Sequence, residues 1–314
     1  MGRIVVAAGV IVALAQLWLP DRWMLQTWIA AGTPWVYLPA LPLLAFALFR
    51  RRWPESLALA LVTACWIAWV APLVVSDARG EPDLSVATIN ALAWNADHAG
   101  AARDIAAIDA DILAIQEVSP ELAAAVEGPA FDRWPHRIVL ARDDAFGIAV
   151  LSRHPMDARL EELDMELPAD DEAGSRTSVP MVVADLSIDG RPLRLFAVHT
   201  LPPFGPHYAE VWRMQSDALV HRVADEVQPL VVAGDLNATP FHRIVRELES
   251  LGISDGHTAV GRGLATTFPT DRWLPSMLLD HVLASDELAF TSVEERSIAG
   301  SDHEAVVAGL RWND

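Results

Sequence analysis

Six apolar stretches of the 314-residue chain finish on, or start from, polar side chains that add nothing to a hydrophobic core. The stretch 84–89 ends in Asn90, 112–115 in Gln116 and Glu117, 195–198 in His199, and 230–233 in Gly234, Asp235, Leu236 and Asn237. Leu278 and Leu279 lead into Asp280 and His281, and Ser301, Asp302 and His303 open the last apolar stretch. Taken singly, each has a structural explanation, since Asn and Asp form turns and a buried histidine is usually satisfied by its neighbours. Taken together they carry more weight, because strand ends on one rim of a sandwich converge and would gather carboxylates, two histidines and two amides in one cleft. Carboxylates so close raise one another's pKa unless a cation neutralises them. Hard oxygen donors of this kind suit Mg2+ or Mn2+ rather than zinc.

The elements that must hold these residues follow from the apolar patterning. Short β-rich runs recur at 84–89, 112–115, 137–140, 147–151, 180–188, 193–198, 230–233, 278–283 and 305–310, with Ala- and Leu-rich helical stretches near 100–108, 120–126, 207–226 and 240–250. Strands outnumber helices, and several strands adjoin with no helix between them. That pattern predicts a mixed α/β sandwich of two sheets with outer helices; a doubly wound parallel sheet would follow each strand with a helix. The acidic segment 161–172 has no ligand spacing and reads as a solvated loop. His281 follows Asp280 and, by strand alternation, points to the opposite face.

At the strand-end residues the sequence resembles the endonuclease/exonuclease/phosphatase superfamily, the metal-dependent phosphoesterases that include DNase I-like nucleases, inositol polyphosphate phosphatases and bacterial sphingomyelinases. The ordered matches are Asn90 in TIN, Gln116-Glu117 in LAIQE, the GIAVLSR strand ending at Arg153, His199 in FAVHT, and Gly234-Asp235-Leu236-Asn237. Thr267-Phe268-Pro269, Leu279-Asp280-His281-Val282-Leu283 and Ser301-Asp302-His303 complete the set, which spans about 84–310. The resemblance implies a four-layer α/β/β/α (DNase I-like) sandwich and in-line attack of water on a phosphoester. It implies Glu117 as the principal metal ligand with Asn90 beside it, and Asp302 as a further ligand. Asp235 would orient or deprotonate the water, and Asn237 would stabilise the phosphoryl oxygens. His303 would contact the phosphate with Asp280 as its carboxylate partner, and His199 would be a second phosphate-facing histidine. Arg153 and Arg176 are expected in structural salt bridges, and Arg213 behind the site.

Composition divides the chain in two. Residues 1–80 carry six arginines against three acids and seven of the twelve tryptophans, whereas residues 81–314 carry 17 arginines against 39 acids, a net charge of −22 with no lysine. The single cysteine, Cys65, excludes a disulfide framework or a cysteine metal site. Uncharged runs at 4–19, 23–49 and 56–75 predict three transmembrane helices near 4–19, 33–49 and 56–75. Residues 1–76 thus read as a membrane anchor in contact with a lipid bilayer, 77–83 as a linker and 84–314 as the catalytic domain. Arg50-Arg51-Arg52 belongs on the cytoplasmic side, which places the catalytic domain outside the cell membrane. A competing reading makes the first run a cleaved signal peptide. Affinity for nucleic acid rests on basic residues that neutralise phosphates, so the −22 domain weighs against long duplex DNA and leaves nucleic acid level with lipid or small phosphate esters. The alternative class is an inactive membrane-anchored scaffold, which the intact Asp235, Asn237 and His303 disfavour.

Overall fold

The computed structural model describes residues 24–76, 80–163, 179–262, 265–270 and 276–313, together with Val10 and Ala78. Twelve strands form two six-stranded sheets among these residues. The first sheet contains β1 (Leu84–Asn90), β2 (Ile112–Gln116), β3 (His136–Leu140), β4 (Ile148–Ser152), β11 (Leu288–Ser297) and β12 (Glu304–Trp312), in the order β11-β12-β1-β2-β4-β3. The second contains β5 (Met156–Glu162), β6 (Pro180–Ile188), β7 (Arg191–His199), β8 (Leu230–Asp235), β9 (Ile253–Asp255) and β10 (Asp280–Ser285), in the order β5-β6-β7-β8-β10-β9. Both are mixed: β1 runs parallel to β2 and β7 to β8, and the other pairings are antiparallel.

The alternation of side chains across each strand builds three cores. Leu84, Val86, Ile112, Ala114, Leu195, Ala197, Val231, Ala233, Val282 and Val306 pack between the sheets. Ala87, Ile89, Leu113 and Ile115 point the other way, against the helices His98–Ala107 and Pro120–Val126. Phe196, Val198, Val232 and Leu283 pack against the helices Pro206–Ala224 and Arg243–Ser250. The result is the α/β/β/α layering expected from the strand-rich pattern. Side-chain oxygens cap the two helices on the first sheet: Asp97 accepts from Gly100 N and Ser119 from Leu122 N, each worth about 1 kcal/mol. Gly234 is required by close approach, because a Cβ there would lie 1.9 Å from Val198 O on the neighbouring strand.

The N-terminal part departs from the three expected spans. The first, 4–19, lies outside the described residues apart from Val10. The second stretch is broken at Gly32 and by prolines: it forms the helices Met24–Ala31, Thr33–Val36 and Ala40–Phe49, with an 84° bend between Leu25–Ala31 and Thr33–Phe49. Only Trp53–Val70 among the described residues is a single helix long and apolar enough to cross a membrane, or two spans if the bent pair counts as one. Proline removes a helix hydrogen-bond donor and clashes with the preceding turn, which explains the break.

This part also touches the two-sheet sandwich. Ala30, Leu73 and Phe241 form one buried cluster. Thr239 Oγ1 donates to Ala30 O at 3.3 Å, a carbonyl that the end of a helix leaves without an internal partner. His242 Nδ1 accepts from Thr239 N at 2.8 Å, which leaves Nε2–H to donate to Thr27 O at 3.1 Å.

Three strands carry no clear sequence signal. β5 and β11 lie at sheet edges and mix charged with apolar residues (MDARLEE, LAFTSVEERS), and β9 has three residues. Most of the acidic segment 161–172 and Arg176 fall outside the described residues.

Candidate active site

The strand-end residues stand in the same columns as the inter-sheet core. Asn90 continues Val86 and Thr88, His199 continues Leu195 and Ala197, and Asp235 continues Val231 and Ala233. Strand register does the rest: Asp235 pairs with His199 on one side and with Asp280 on the other. Three functional side chains thus share one face at one end of the second sheet, and β1 and β2 bring Asn90 and Glu117 across from the first.

The contacts are specific. Asn90 Nδ2 donates to Glu117 Oε1 and to Asp235 Oδ2, both at 3.0 Å, clamping two carboxylates from different sheets. Its Oδ1 accepts from Leu92 N at 3.1 Å, so in this arrangement Asn90 acts as a donor and its oxygen is turned from the expected ligand position. Glu117 Oε2 accepts from Ala93 N at 2.8 Å. His199 Nδ1 donates to Ala145 O at 3.0 Å, which aims Nε2 at Asp235 Oδ2 (3.7 Å) and Glu117 Oε1 (3.9 Å). His303 Nδ1 donates to Asp280 Oδ2 at 2.8 Å, and its Nε2 lies 3.7 Å from Asp235 Oδ2. Asn237 Nδ2 donates to Thr200 O, and Asn237 N to Asp235 Oδ1, both at 2.8 Å.

Glu117 and Asn237 have left-handed backbones, with φ of 58° and 47°. Such a conformation costs a non-glycine residue on the order of 1–3 kcal/mol and is held only where the surroundings demand it. Here it turns both side chains back over the sheet ends.

Burial drives the Asp235 carboxyl above its usual range, and the neighbouring Asp280 charge adds to this against the pull of His303 and His199. Burial works against a charged His303, but Asp280 and Asp235 outweigh it and push the ring up to about 10, so it is a cation at neutral pH. One oxygen each of Asp235 and Asp280 and one ring nitrogen of His303 lie within 4.8 Å of one another. The donor set fits a divalent cation, because Glu117, Asp235 and Asp302 all line a cavity that has no arginine among its described lining residues. Asp280 Oδ1 is buried with no hydrogen-bond partner among the described residues.

The cavity, about 520 Å3, collects Glu117, His199, Asp235, Asn237, Asp302 and His303. Asp280 and Asn90 sit behind it and hold these groups. The aromatic and aliphatic part of the lining consists of Phe146, Leu201, Phe204 and Phe268 from loops without periodicity and Tyr208 from the start of the helix Pro206–Ala224. Of these, only Phe268 belonged to a recognised motif. Its ring lies 4.7 Å from that of His303. Ser301, also in a motif, links the two sides: its Oγ donates to Asn90 O at 2.8 Å and accepts from His303 N at 3.0 Å. Arg153 is engaged by Asp109 and Asp111, as expected of a structural ion pair. His281 points to the far face, with Nδ1 2.6 Å from Asp255 Oδ2 and Nε2 2.8 Å from Ala238 O.

Two mixed sheets packed face to face between helices, with carboxylates, amides and histidines gathered over one end, define a DNase I-like sandwich. Residues 87–303 match the model of the Endonuclease/Exonuclease/phosphatase family, and the chain belongs to that family. Comparison with curated proteins finds no match. Among solved structures, an endonuclease/exonuclease/phosphatase from Beutenbergia cavernae is 20% identical with a TM-score of 0.56, over 73% of this chain and 72% of that one. A 3' phosphatase from Neisseria, bound to a product DNA hairpin, is 18% identical with a TM-score of 0.53, over 73% of this chain and all of that one. A mannosyl-6-phosphatase from Bacteroides thetaiotaomicron gives the same identity, score and coverage. At these identities the likeness is one of fold.

Proposed function

We propose that the chain is a membrane-anchored, divalent-metal-dependent phosphoesterase that hydrolyses phosphodiester or phosphomonoester bonds by in-line attack of water. The observation that carries this reading is the convergence of His199 and His303 on Asp235, with each ring's Nδ1 fixed by Ala145 O or Asp280 and each Nε2 3.7 Å from the same carboxylate oxygen. Two oriented imidazoles over one buried carboxylate form a pocket for a tetrahedral oxyanion.

Glu117 and Asp302, with Asn90 beside them, are the residues proposed to hold Mg2+ or Mn2+. A bound cation supplies Lewis-acid neutralisation of the phosphoryl oxygens and of the surrounding carboxylates. Asp235, with its raised pKa, orients the water and takes its proton as the new oxygen–phosphorus bond forms; a base is most effective when its pKa lies near the working pH. His303, a cation held by Asp280, neutralises charge on the phosphoryl group and can protonate the leaving oxygen as its bond to phosphorus breaks. Asn237 and His199 supply further donors toward the phosphoryl oxygens, where preorganised hydrogen bonds stabilise developing charge. The uncharged stretches of residues 1–76 support membrane attachment, with the catalytic domain on the extracytoplasmic side.

The test is hydrolysis of bis(4-nitrophenyl) phosphate by the full-length chain in detergent, with Mg2+ or Mn2+ and after chelation. Hydrolysis that is lost on chelation, restored by either metal and lost in Asp235→Asn is expected. Equal release by wild type and Asp235→Asn would overturn the reading. A reporter fused after Asp314 that is active only in the cytoplasm would overturn the orientation.

A further inference from the structure

Two chemically distinct groups of residues line the cavity. One is the carboxylate and histidine cluster; the other is aromatic and aliphatic, and no arginine lies among the described residues that line it. Phe204, Asn237 and Phe268 belong both to this cavity and to a narrow groove that continues to Thr27, Trp28 and Ala31 of the helix Met24–Ala31. The Trp28 and Phe204 rings are 6.1 Å apart, and both are largely exposed. Beyond them the same N-terminal segment presents Leu25, Trp35, Leu38 and Phe46 to the outside. Apolar side chains therefore continue from the cavity, past Asn237 and His242, to the exposed apolar side chains of the N-terminal segment.

We propose that the substrate is an amphiphile: one phosphoester group in the cluster, with its apolar chain leaving the cavity between Phe204 and Phe268 and lying against Trp28 and Ala31. This rests on the phosphoesterase reading and narrows its substrate class. Three observations favour an alkyl or acyl chain over a polynucleotide. A polyanion needs several phosphates neutralised by basic side chains, and no arginine lies among the described residues that line the cavity. The domain's charge of −22 repels a polyanion at longer range. The exit groove offers hydrocarbon contacts, where each buried methylene adds affinity. The segment that walls the groove is also the one that would meet a bilayer, so a lipid-borne chain reaches it without crossing water.

A homologous series isolates the chain. Full-length protein in detergent micelles with Mg2+ is assayed against 4-nitrophenyl methyl phosphate and 4-nitrophenyl octyl phosphate. In each, water adds to phosphorus and 4-nitrophenol leaves. The expected result is a kcat/KM ratio, octyl over methyl, of about tenfold or more, the gain from burying two methylenes. The ratio should fall toward one in Ala31→Trp, which fills the groove, and drop in Trp28→Ala. Being internal to each preparation, it is insensitive to partial misfolding. A wild-type ratio near one, ratios unchanged in both variants, or faster cleavage of a single-stranded oligonucleotide than of the octyl ester would each overturn the proposal while leaving a phosphoesterase. Release no faster than in Asp235→Asn for every ester would instead overturn the phosphoesterase reading.

Discussion

Two histidine–aspartate pairs stand on opposite faces of β10, contributed by consecutive residues of one strand. On the inter-sheet face, Asp280 holds His303 through Nδ1 and leaves Nε2 directed at Asp235 and the cavity. On the helix-facing side, His281 is bonded through both ring nitrogens, to Asp255 and to Ala238 O, and both side chains of the pair are fully buried. Both rings are pushed toward the charged form, His281 by Asp255 against the opposing effect of burial. The chemistry available to the two rings nevertheless differs. A histidine with one nitrogen committed and one open can act on a ligand, whereas a histidine with both committed can only hold the chain together.

Mutating both pairs tests this contrast. His303→Ala should lower kcat/KM by about 100-fold or more, as expected for loss of an acid–base group, and should also destabilise the fold, because it leaves Asp280 buried without its partner. Asp235→Asn should lower kcat/KM as far with the melting temperature nearly unchanged, and retention of a tenth of the wild-type rate in either would break the assignment. His281→Ala should reverse the Asp235→Asn pattern. It leaves Asp255 buried without its partner, which typically costs about 3–5 kcal/mol, visible as a lower denaturant midpoint, while kcat of the folded fraction stays at the wild-type value. Asp280→Asn should fall between, losing about 10- to 100-fold in kcat/KM, as when an orienting partner is removed, without the stability loss of His281→Ala.

The smallest effect concerns a third histidine contact away from the site. Burial opposes ionisation of Glu295, but hydrogen bonds from His257 and Arg262 outweigh it and lower the carboxyl to about 2. A depressed carboxyl stabilises the fold above its unfolded pKa of 4.5, and that contribution disappears as pH falls from about 4.5 toward 2. Thermal unfolding of Glu295→Gln across this range should show a shallower acid-side loss than wild type; an identical slope would remove Glu295 from the account.

The sequence was most legible where polarity changes abruptly. Asn90, His199, Asp235 and Asp280 each interrupt an apolar run at a strand end, and strand alternation alone separated Asp280 from His281. The four longer helices packed on the two sheets and the nine principal strands followed from apolar runs for the same reason, whereas the five-residue helix Gly256–Val260 did not. What the sequence concealed depends on partners distant along the chain. The Asn90 side chain could be placed in the site, but its hydrogen bonds to Glu117 and Asp235 come from register across two sheets. Phe146, Phe204 and Tyr208 line one cavity only because two separate loops and the start of the helix Pro206–Ala224 meet there. β5 and β11 escaped because edge strands need bury only one face and can carry charge on the other. The 23–49 stretch had the composition of a span, but its prolines and Gly32 decided the geometry.

The loop after β8 bears on how the molecule can be divided. It follows directly on Asp235, carries Asn237 into the cavity and then, through Thr239 and His242, grips the carbonyls of Ala30 and Thr27. The change of composition near residue 80 is therefore a border in chemistry but not in mechanics. A chain severed there would lose the acceptors for a buried hydroxyl and a buried imidazole a few residues from the reacting carboxylate, and would uncover Phe241. The N-terminal segment is a mooring for the catalytic loop, so an excised domain and the whole chain are two different enzymes.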